Sequence, residues 1–479
     1  MVTERTARRM YRMPNRNRKC ALRVQIVATL VAISACTAEA AGAVPRPPLA
    51  ITDVAIVDVE HGHSSGPRTV LIDEGRITAI VAPDEARVPA DAVRIDGRGG
   101  FLIPGLVDMH VHLFNTVSKR APNDWAFPLF LRNGVTGVRE MAADAASMPV
   151  VRRWRTAFAD GTLEAPRILA VGMPVSGDTP AAAARAVDAA ADAGADFVKV
   201  FSNVPEPQWR AIVSAARRRA LPVTGHVPAR VRLLAAAEGG QRSAEHLMQA
   251  YEACSTIEPA LISERRLARN DSMDALLVAQ EPRTLEAFDP AACSRVARAL
   301  ARSGQAQVPT LVLPWAESVA AHDAPESDPR WPLLRADEQA RWKRILGGLQ
   351  PDPVATLRWQ RSRAIVSMFH DAGVTLLAGT DAPMPRIYPG YSLHDELERL
   401  VESGLSPLEA LRSATFAPAR FLGMDDIAGS IAVGKRADLV LLDGDPAISV
   451  RHLRRIRAII VDGRLFSRAC RACKSESAN

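Results

Sequence analysis

Short apolar runs alternate with longer segments rich in alanine, arginine and glutamate through the middle of the chain. Apolar runs of strand length that end at turn residues predict buried strands, and the segments between them have the composition of helices. Repeated strand–helix units favour a parallel sheet covered by helices. Eight such strands over roughly 300 residues match a (β/α)8 barrel. The predicted strands are residues 102–111, 134–141, 167–172, 196–201, 222–227, 243–247, 308–313 and 375–381.

Several of the alanine- and arginine-rich segments predict well-defined helices. One of them carries a start signal, because Ser406 can cap its first turn and Pro407 follows at the first helical position, where the N–H that proline lacks has no partner anyway. The predicted helices are residues 181–193, 206–219, 393–403 and 407–414.

The segments on either side of the barrel have a different pattern, with short strand-like runs between turn residues and no helical period. We therefore predict a small β-sandwich domain built from both chain ends, with residues 44–103 and 421–467 flanking a barrel at 104–420 and a tail at 468–479. Its predicted strands are residues 51–59, 69–73, 76–81, 92–95, 437–443 and 457–462.

The charge of the chain is concentrated at its start. The formal net charge is +7, and the first 23 residues hold eight basic side chains and one acidic one. Residues 24–36 are apolar but too short for a membrane-spanning helix of ~20 residues, which is typical of a signal peptide. We interpret residues 1–43 as an export signal and expect a periplasmic protein. A lipoprotein box ending at Cys36, with a lipid anchor at the outer membrane, and ordinary cleavage among the small residues that follow both fit.

Once this segment is removed the protein is close to neutral, and aromatic residues make up 5% of the chain. Single-strand nucleic-acid binders depend on many stacked rings and on basic grooves, so we expect no nucleic-acid partner. In an oxidising compartment Cys254 could pair with Cys293, and Cys470 with Cys473. The long connection at 248–307 predicts a lid or an insertion.

Candidate metal ligands stand at the ends of the predicted barrel strands. His110 and His112 are two residues apart on a strand, so their side chains share one face, at the rim where barrel active sites lie. Taken alone, each candidate has a plainer role as a core histidine, a surface lysine or a helix cap. Burying so many unpaired polar groups is costly, so we interpret them as one ring. The other members are Lys199, His226, His246 and Asp381.

These motifs together resemble the amidohydrolase superfamily, in the branch similar to imidazolonepropionase and to metal-dependent Xaa-Pro dipeptidases. No single motif is specific, but the ordered set covers most of residues 50–465. The motifs are GLVDMHVH (105–112), GVTGVR (134–139), FVKVF (197–201), GHVP (225–228), SAEHL (243–247), AGTDAP (378–383), SLHDEL (392–397) and GKRADLV (434–440).

The resemblance implies a centre of two divalent metal ions. His110 and His112 would hold one metal with Asp381, His226 and His246 would hold the second, and Lys199 would bridge them as a carbamate. Asp381 would be the catalytic residue that moves the proton. Zinc is the expected metal, with manganese and cobalt as alternatives.

The implied reaction is hydrolysis of amide or peptide-like carbon–nitrogen bonds, in dipeptides or N-acyl amino acids. A one-metal deaminase is less favoured, because Ala229 stands where such an enzyme has a glutamate. Two alternatives stay open: a lactonase or phosphotriesterase-like esterase using the same centre, and a non-catalytic metal-binding lipoprotein.

Other side chains near the predicted strand ends are candidates for substrate contact, and Tyr251, Tyr388 and His394 are named for that role. We expect Glu245 to point away from the face of His246, because neighbouring residues of a strand alternate in direction, and to pair with a base behind the barrel. The expected partner is a small dipeptide-like molecule, and a homo-oligomer is an open alternative.

Overall fold

The computed structural model describes residues 46–114, 121–269, 272–319, 324–348 and 352–466. Within these ranges the protein has mixed α/β content, with fifteen β-strands and fifteen α-helices. Among those helices, none combines the length and the apolar character that crossing a membrane requires. The export signal predicted at 1–43 and the pair Cys470–Cys473 lie outside the described residues.

The strands have the following bounds in chain order. They are β1 (Leu49–Asp58), β2 (His63–Asp73), β3 (Arg76–Val81), β4 (Val93–Asp96), β5 (Phe101–Pro104), β6 (Leu106–Val111), β7 (Val135–Glu140), β8 (Arg167–Pro174), β9 (Phe197–Val200), β10 (Val223–Gly225), β11 (Ser243–Glu245), β12 (Ala306–Val308), β13 (Leu439–Leu442), β14 (Ile456–Val461) and β15 (Arg464–Phe466).

The helices follow the same order. They are α1 (Phe127–Arg132), α2 (Met148–Ala159), α3 (Pro180–Ala193), α4 (Glu206–Arg218), α5 (Leu233–Glu238), α6 (Met248–Ala253), α7 (Glu258–Leu267), α8 (Met273–Glu286), α9 (Pro290–Ser303), α10 (Val312–Val319), α11 (Ala336–Leu346), α12 (Ala355–Asp371), α13 (Tyr391–Glu402), α14 (Pro407–Ser413) and α15 (Phe416–Phe421).

One sheet is built from both chain ends. Its strands run in the order β15-β14-β13-β5-β1-β2-β3, and β4 pairs with β1. Alternate residues of β13 pack on opposite sides, because strand side chains alternate in direction. Leu439 and Leu441 join a cluster within this sheet, whereas Val440 and Leu442 join the large core of the rest of the molecule. The pairing gives a single continuous sheet, and it does not by itself show the two packed layers of the expected sandwich.

The middle of the chain forms parallel strands. Strands β6 to β10 form one parallel sheet, and β11 pairs in parallel with β12. Residues 375–382 take the eighth place without regular strand structure. Hydrogen bonds join these pieces in a cycle. The joining parallel bridges are Val223 with Gln241, Gln307 with Leu376, and Val111 with Ala382.

Three predicted strands differ from the observed ones, and one of them is the strand expected at 375–381, where no regular strand forms. The strand expected at 102–111 is divided at Gly105, because β5 pairs with β13 while β6 pairs with β7. The strand expected at 308–313 is wrong, since β12 ends at Val308 and α10 begins at Val312. Thr310 has a φ of 47°, which ends an extended strand. A short apolar run does not distinguish a buried strand from a buried helix.

Helices α6 to α9 occupy the segment for which a lid or insertion was expected. The disulfide Cys254–Cys293 is present and joins the end of α6 to α9. The start predicted for α14 is confirmed, because the Ser406 side chain accepts a hydrogen bond from the backbone N–H of Glu409 in a capping box.

Candidate metal centre

The six predicted ligands stand at one end of the parallel strands. Because parallel strands end at the same rim, their side chains can converge there. His110 lies in β6 and His112 directly after it, Lys199 lies in β9, His226 follows β10, His246 follows β11, and Asp381 lies in the eighth segment.

Three of these side chains form a cluster of ligand atoms. His110, His112 and Asp381 each offer one atom, and all three atoms lie within 4.8 Å of one another. Oδ1 of Asp381 is 2.8 Å from Nε2 of His112 and 3.2 Å from Nε2 of His110. The buried Nε2 of His110 has no hydrogen-bond partner within the described ranges, which is rare for a buried polar atom. Two imidazoles and a carboxylate are suitable zinc ligands, so this cluster fits a divalent metal ion.

Two backbone hydrogen bonds join the two segments that carry this cluster. The Asp381 N–H donates to the carbonyl of His110, and the His112 N–H donates to the carbonyl of Ala382, both at 2.7 Å. Asp381 and His246 have φ values of 67° and 66°, a left-handed conformation that costs energy in residues other than glycine. Such conformations concentrate at functional sites.

His226 and His246 lie beside the cluster. Their ring centroids are 5.0 Å apart, and the ring of His246 is 4.6 Å from that of His110. Nδ1 of His226 is 2.9 Å from the hydroxyl of Ser202, and Nδ1 of His246 is 2.9 Å from the hydroxyl of Thr310. Each hydroxyl engages one ring nitrogen and leaves the other for a ligand.

Burial holds three of these histidines in the neutral form that binds metals. Burial lowers the pKa of His246 to about 3 and that of His112 to about 4, and it lowers the pKa of His226 well below its ordinary value. Neutral imidazole has the free nitrogen lone pair that a metal ion needs.

Lys199 is a buried amine beside these ligands. It is 1% exposed, and its Nζ lies 4.8 Å from the centre of the Phe201 ring. Within the described residues its Nζ makes no hydrogen bond or ion pair. Burial lowers its pKa, although the negative charge of Asp381 opposes this. An unpaired ammonium in such a place is costly, so Lys199 is an unusual residue for a purely structural position.

Glu245 pairs with a base, Arg139, as expected, but the pair does not lie behind the barrel, because Glu245 also contacts the candidate ligand His110. Nη2 of Arg139 lies 3.1 Å from both carboxylate oxygens, and the Ser243 hydroxyl donates to Oε1 at 2.5 Å. The sequence did not predict its third contact, which joins Oε2 to Nδ1 of His110 at 2.9 Å. The strand pattern could have indicated part of this arrangement. Neighbouring residues of a strand alternate in direction, so Ser243 and Glu245 point to the same face.

Two further buried acids were given no role. Asp108 accepts hydrogen bonds from the backbone of His110 and from Thr380. Glu140 accepts from the backbone N–H groups of Leu113 and Ala142. Burial raises the pKa of both acids to about 7. By accepting these hydrogen bonds, both acids fix the backbone next to the cluster of His110, His112 and Asp381.

The three candidates for substrate contact fall in different places. Tyr251 lines a cavity next to His246, and its hydroxyl lies 2.7 Å from that of Ser362. Tyr388 is buried, with its ring centroid 4.9 Å from that of Trp342.

His394 does not reach the rim. It is buried in α13, and its Nε2 lies 2.9 Å from the carbonyl of Asn133, two residues before β7 begins. That is the end of the strand opposite to the ligands, so we correct the expectation of substrate contact. The error arose because a position shortly after a ligand-bearing strand does not fix the direction of a helical side chain.

The cavity next to His246 has a volume of about 690 Å³, counting its open mouth. It extends from the ligands into the helices that follow β11 and β12. Its lining combines apolar with charged side chains: His246, Met248, Gln249, Tyr251, Glu252, Arg265, Leu277, Glu281, Thr284, Leu285, Thr310, Leu313, Pro314, Glu317 and Arg358.

Known proteins resemble this chain in part of its sequence and in its fold. A stretch of 69 residues is 42% identical to adenine deaminase 2 of Shouchella clausii, covering 14% of this chain and 12% of that protein. The chain thus matches a small part of that curated relative. A solved Xaa-Pro dipeptidase with bound methionine has a TM-score of 0.63 and 19% identity, over 88% of this chain and 100% of that one. A prolidase complexed with N-methylphosphonate-L-proline has a TM-score of 0.61 and 21% identity, over 88% and 99%.

The solved structures show a shared fold. The family follows from a longer sequence match, because residues 101–466 fit the amidohydrolase family. This range covers most of the chain and contains all six candidate ligands. The chain belongs to the amidohydrolase family.

Proposed function

We propose that this protein is an exported, metal-dependent hydrolase that cleaves amide or peptide-like carbon–nitrogen bonds in dipeptides or N-acyl amino acids. The observation that carries the proposal is the cluster of His110, His112 and Asp381 in a member of the amidohydrolase family. The names of the structural relatives, an Xaa-Pro dipeptidase and a prolidase, support a peptide-like substrate.

The donor set supports two metal positions. His110, His112 and Asp381 would hold one divalent ion, and His226 and His246 would hold the second, with zinc as the metal we expect. Divalent ions, when bound, lower the pKa of water and polarise a carbonyl group. The contribution of the chain is to fix these donors on a barrel rim.

Lys199 would join the two positions as a carbamate. Its burial favours the neutral amine, whose nitrogen can attack carbon dioxide. A nitrogen–carbon bond forms, one proton leaves, and the product carries a negative charge shared by two oxygens. This change replaces a buried amine that has no anionic partner by an anionic donor between cationic partners.

Asp381 is suited to move the proton. Burial alone would raise its pKa, but His110 and His112 beside it hold that pKa well below the ordinary range. The ionised carboxylate can therefore accept a proton from the attacking water and deliver it to the leaving amine. Positioned proton transfer of this kind contributes about 10² to 10⁴ in rate.

The cavity next to His246 supports a substrate class. Arg358 lies among three carboxylates, with Nε 2.6 Å from Glu281, Nη1 2.6 Å from Glu317 and Nη2 2.7 Å from Asp352. Three acids and two arginines line the cavity, which leaves one net negative charge. Because Leu277 also lines this cavity, we expect a substrate side chain with an apolar stem and a cationic end, as in lysine or arginine.

Export is supported by the basic start and short apolar segment of residues 1–36. Fractionation of the producing cell tests it, with Cys36→Ala as the variant that separates the two cleavage routes. A lipid-anchored protein loses its membrane attachment on this change, whereas a soluble periplasmic protein does not.

The function is tested by metal analysis of the mature protein together with a substrate panel. We expect about two metal equivalents per chain and fewer in Lys199→Ala, by the two-metal argument. We also expect turnover of dipeptides or N-acyl amino acids. Turnover of lactones or aryl phosphotriesters in their place would assign the esterase function. Metal binding without turnover of any of these would indicate a binding protein.

A further inference from the structure

We infer that Glu245 is a positioning residue, and that through His110 it makes the site of His110, His112 and Asp381 the tighter of the two metal sites. The inference deepens the proposed function and rests on its two metal positions. The second site, at His226 and His246, is then the one that loses its metal first.

The ring of His110 is held by a buried carboxylate. Glu245 Oε2 accepts a hydrogen bond from Nδ1 of His110 at 2.9 Å, and both side chains are fully buried. This contact fixes the ring and directs Nε2 towards Asp381. A carboxylate partner fixes the tautomer of a histidine ligand and strengthens it as a donor.

Glu245 is itself held in place by neighbouring side chains. Both of its oxygens face Nη2 of the buried Arg139, and the hydroxyl of Ser243 donates to Oε1. Arg139 is anchored in turn, because its Nε donates to the carbonyl of Met109, next to His110, at 2.6 Å. The carboxylate therefore has little freedom to leave the histidine.

The other two histidines, His226 and His246, have different hydrogen-bond partners from His110. His226 and His246 have the hydroxyls of Ser202 and Thr310 as Nδ1 partners, which carry no charge. His226 and His246 are partly exposed, and so is His112, so exposure does not separate the two sites. The neutral partners of His226 and His246 favour faster loss of a metal ion from that side.

The test follows zinc release from the fully loaded protein into excess chelator. The parent should release one equivalent quickly and one slowly. Glu245→Gln, which keeps the shape and removes the charge, should release the slow equivalent about 10- to 100-fold faster, the usual effect of losing such a partner. Thr310→Val is the matched control, since it removes the partner of His246 and should speed only the fast equivalent.

Arg139 loses its anionic partner in Glu245→Gln, so a second variant that keeps this ion pair is needed. Ser243→Ala keeps both charges and removes one hydrogen bond to Glu245, and it should give a smaller acceleration in the same direction. Circular dichroism of each metal-free variant verifies folding. An unchanged slow phase in folded Glu245→Gln or in Ser243→Ala would overturn the inference, as would a slow phase that responds to Thr310→Val.

The readout does not depend on catalysis, so it separates this inference from the proposed function. If the parent binds only one equivalent, the two-metal proposal fails, and the role of Glu245 stands or falls on the release of that equivalent. If substrates are not hydrolysed but the two release phases respond as expected, the role of Glu245 stands without the activity.

Discussion

Thr380 and Asp108 are joined by two hydrogen bonds, since the Thr380 N–H donates to Oδ1 at 3.0 Å and its hydroxyl donates to Oδ2 at 2.6 Å. Each residue stands close to a ligand, because Thr380 precedes Asp381 and Asp108 lies two residues before His110. The pair therefore ties the eighth segment of the barrel to the first barrel strand at the metal centre.

Replacement of Asp108 by leucine should destabilise the protein strongly. It leaves three buried donors without an acceptor, at about 1–3 kcal/mol each, and the unfolding free energy should fall by about 3 kcal/mol or more. Urea unfolding of the metal-free protein measures the change. Asp108→Asn is the control, because its amide oxygen can still accept two backbone bonds. Equal losses in both variants would contradict the role given to the carboxylate.

Glu396 predicts a pH-dependent stability difference. It is fully buried in α13 and accepts a hydrogen bond from the N–H of Val312 at 2.7 Å. Burial raises its pKa from 4.5 to about 8, although the backbone N–H groups of Val312 and Leu311 oppose this. Between these values the folded protein holds a proton that the unfolded chain has released. Stability therefore falls as the pH rises through this window, by at most ~1.4 kcal/mol per pH unit.

Glu396→Gln removes this titration and keeps an oxygen for Val312. The stability of the variant relative to the parent should therefore increase from pH 5 to pH 8, as measured by urea unfolding at each pH. Buried acids that do not interact with Glu396 are common to both proteins and cancel in the comparison, whereas the charge of Asp108 raises the pKa of Glu396 and is measured together with it. A difference that stays constant across the window would show that Glu396 does not titrate there.

The disulfide between Cys254 and Cys293 predicts a loss of stability on removal. The two residues are 39 apart in sequence, and closing such a loop restricts the unfolded chain by about 4 kcal/mol in the chain-entropy account. The double change to serine should lower the unfolding free energy by about 2–4 kcal/mol. Adding a reductant to the unfolded parent before refolding should lower its stability similarly and should not affect the double variant.

Glu317 predicts substrate selectivity. Glu317→Gln removes one negative charge next to Arg358, so kcat/KM for dipeptides with lysine or arginine should fall by about tenfold, or ~1.4 kcal/mol. Dipeptides with leucine should change little. Glu326→Gln is a matched control, because Glu326 is an exposed acid paired with Lys343. An equal loss for basic and apolar substrates would argue against a cation-binding cavity.

The sequence predicted that His110, His112 and Asp381 meet because each stands at the end of a predicted strand, and the ends of parallel strands meet at one rim. Position along the chain was enough for these three residues. It was not enough for the bond between His110 and Glu245, which are 135 residues apart and meet only after the barrel closes.

Local sequence patterns gave wrong predictions where the same pattern fits two kinds of secondary structure. The apolar run after Gln307 fits a strand or a helix, and the helix α10 begins where Glu396 accepts the N–H of Val312. That acceptor comes from a distant segment. Similarly, Pro104-Gly105 indicates a break in the strand, but the sheet that each half joins follows from the partners available on either side.

The sheet built from both chain ends has a consequence for synthesis. Strand β13 pairs with β5, and it is synthesised after all the parallel strands. A chain that terminates prematurely before Leu439 would leave β5 as an open edge carrying the apolar residues Leu102 and Ile103, which invites aggregation and proteolysis. Pairing with β13 therefore protects the edge of β5 from aggregation and proteolysis.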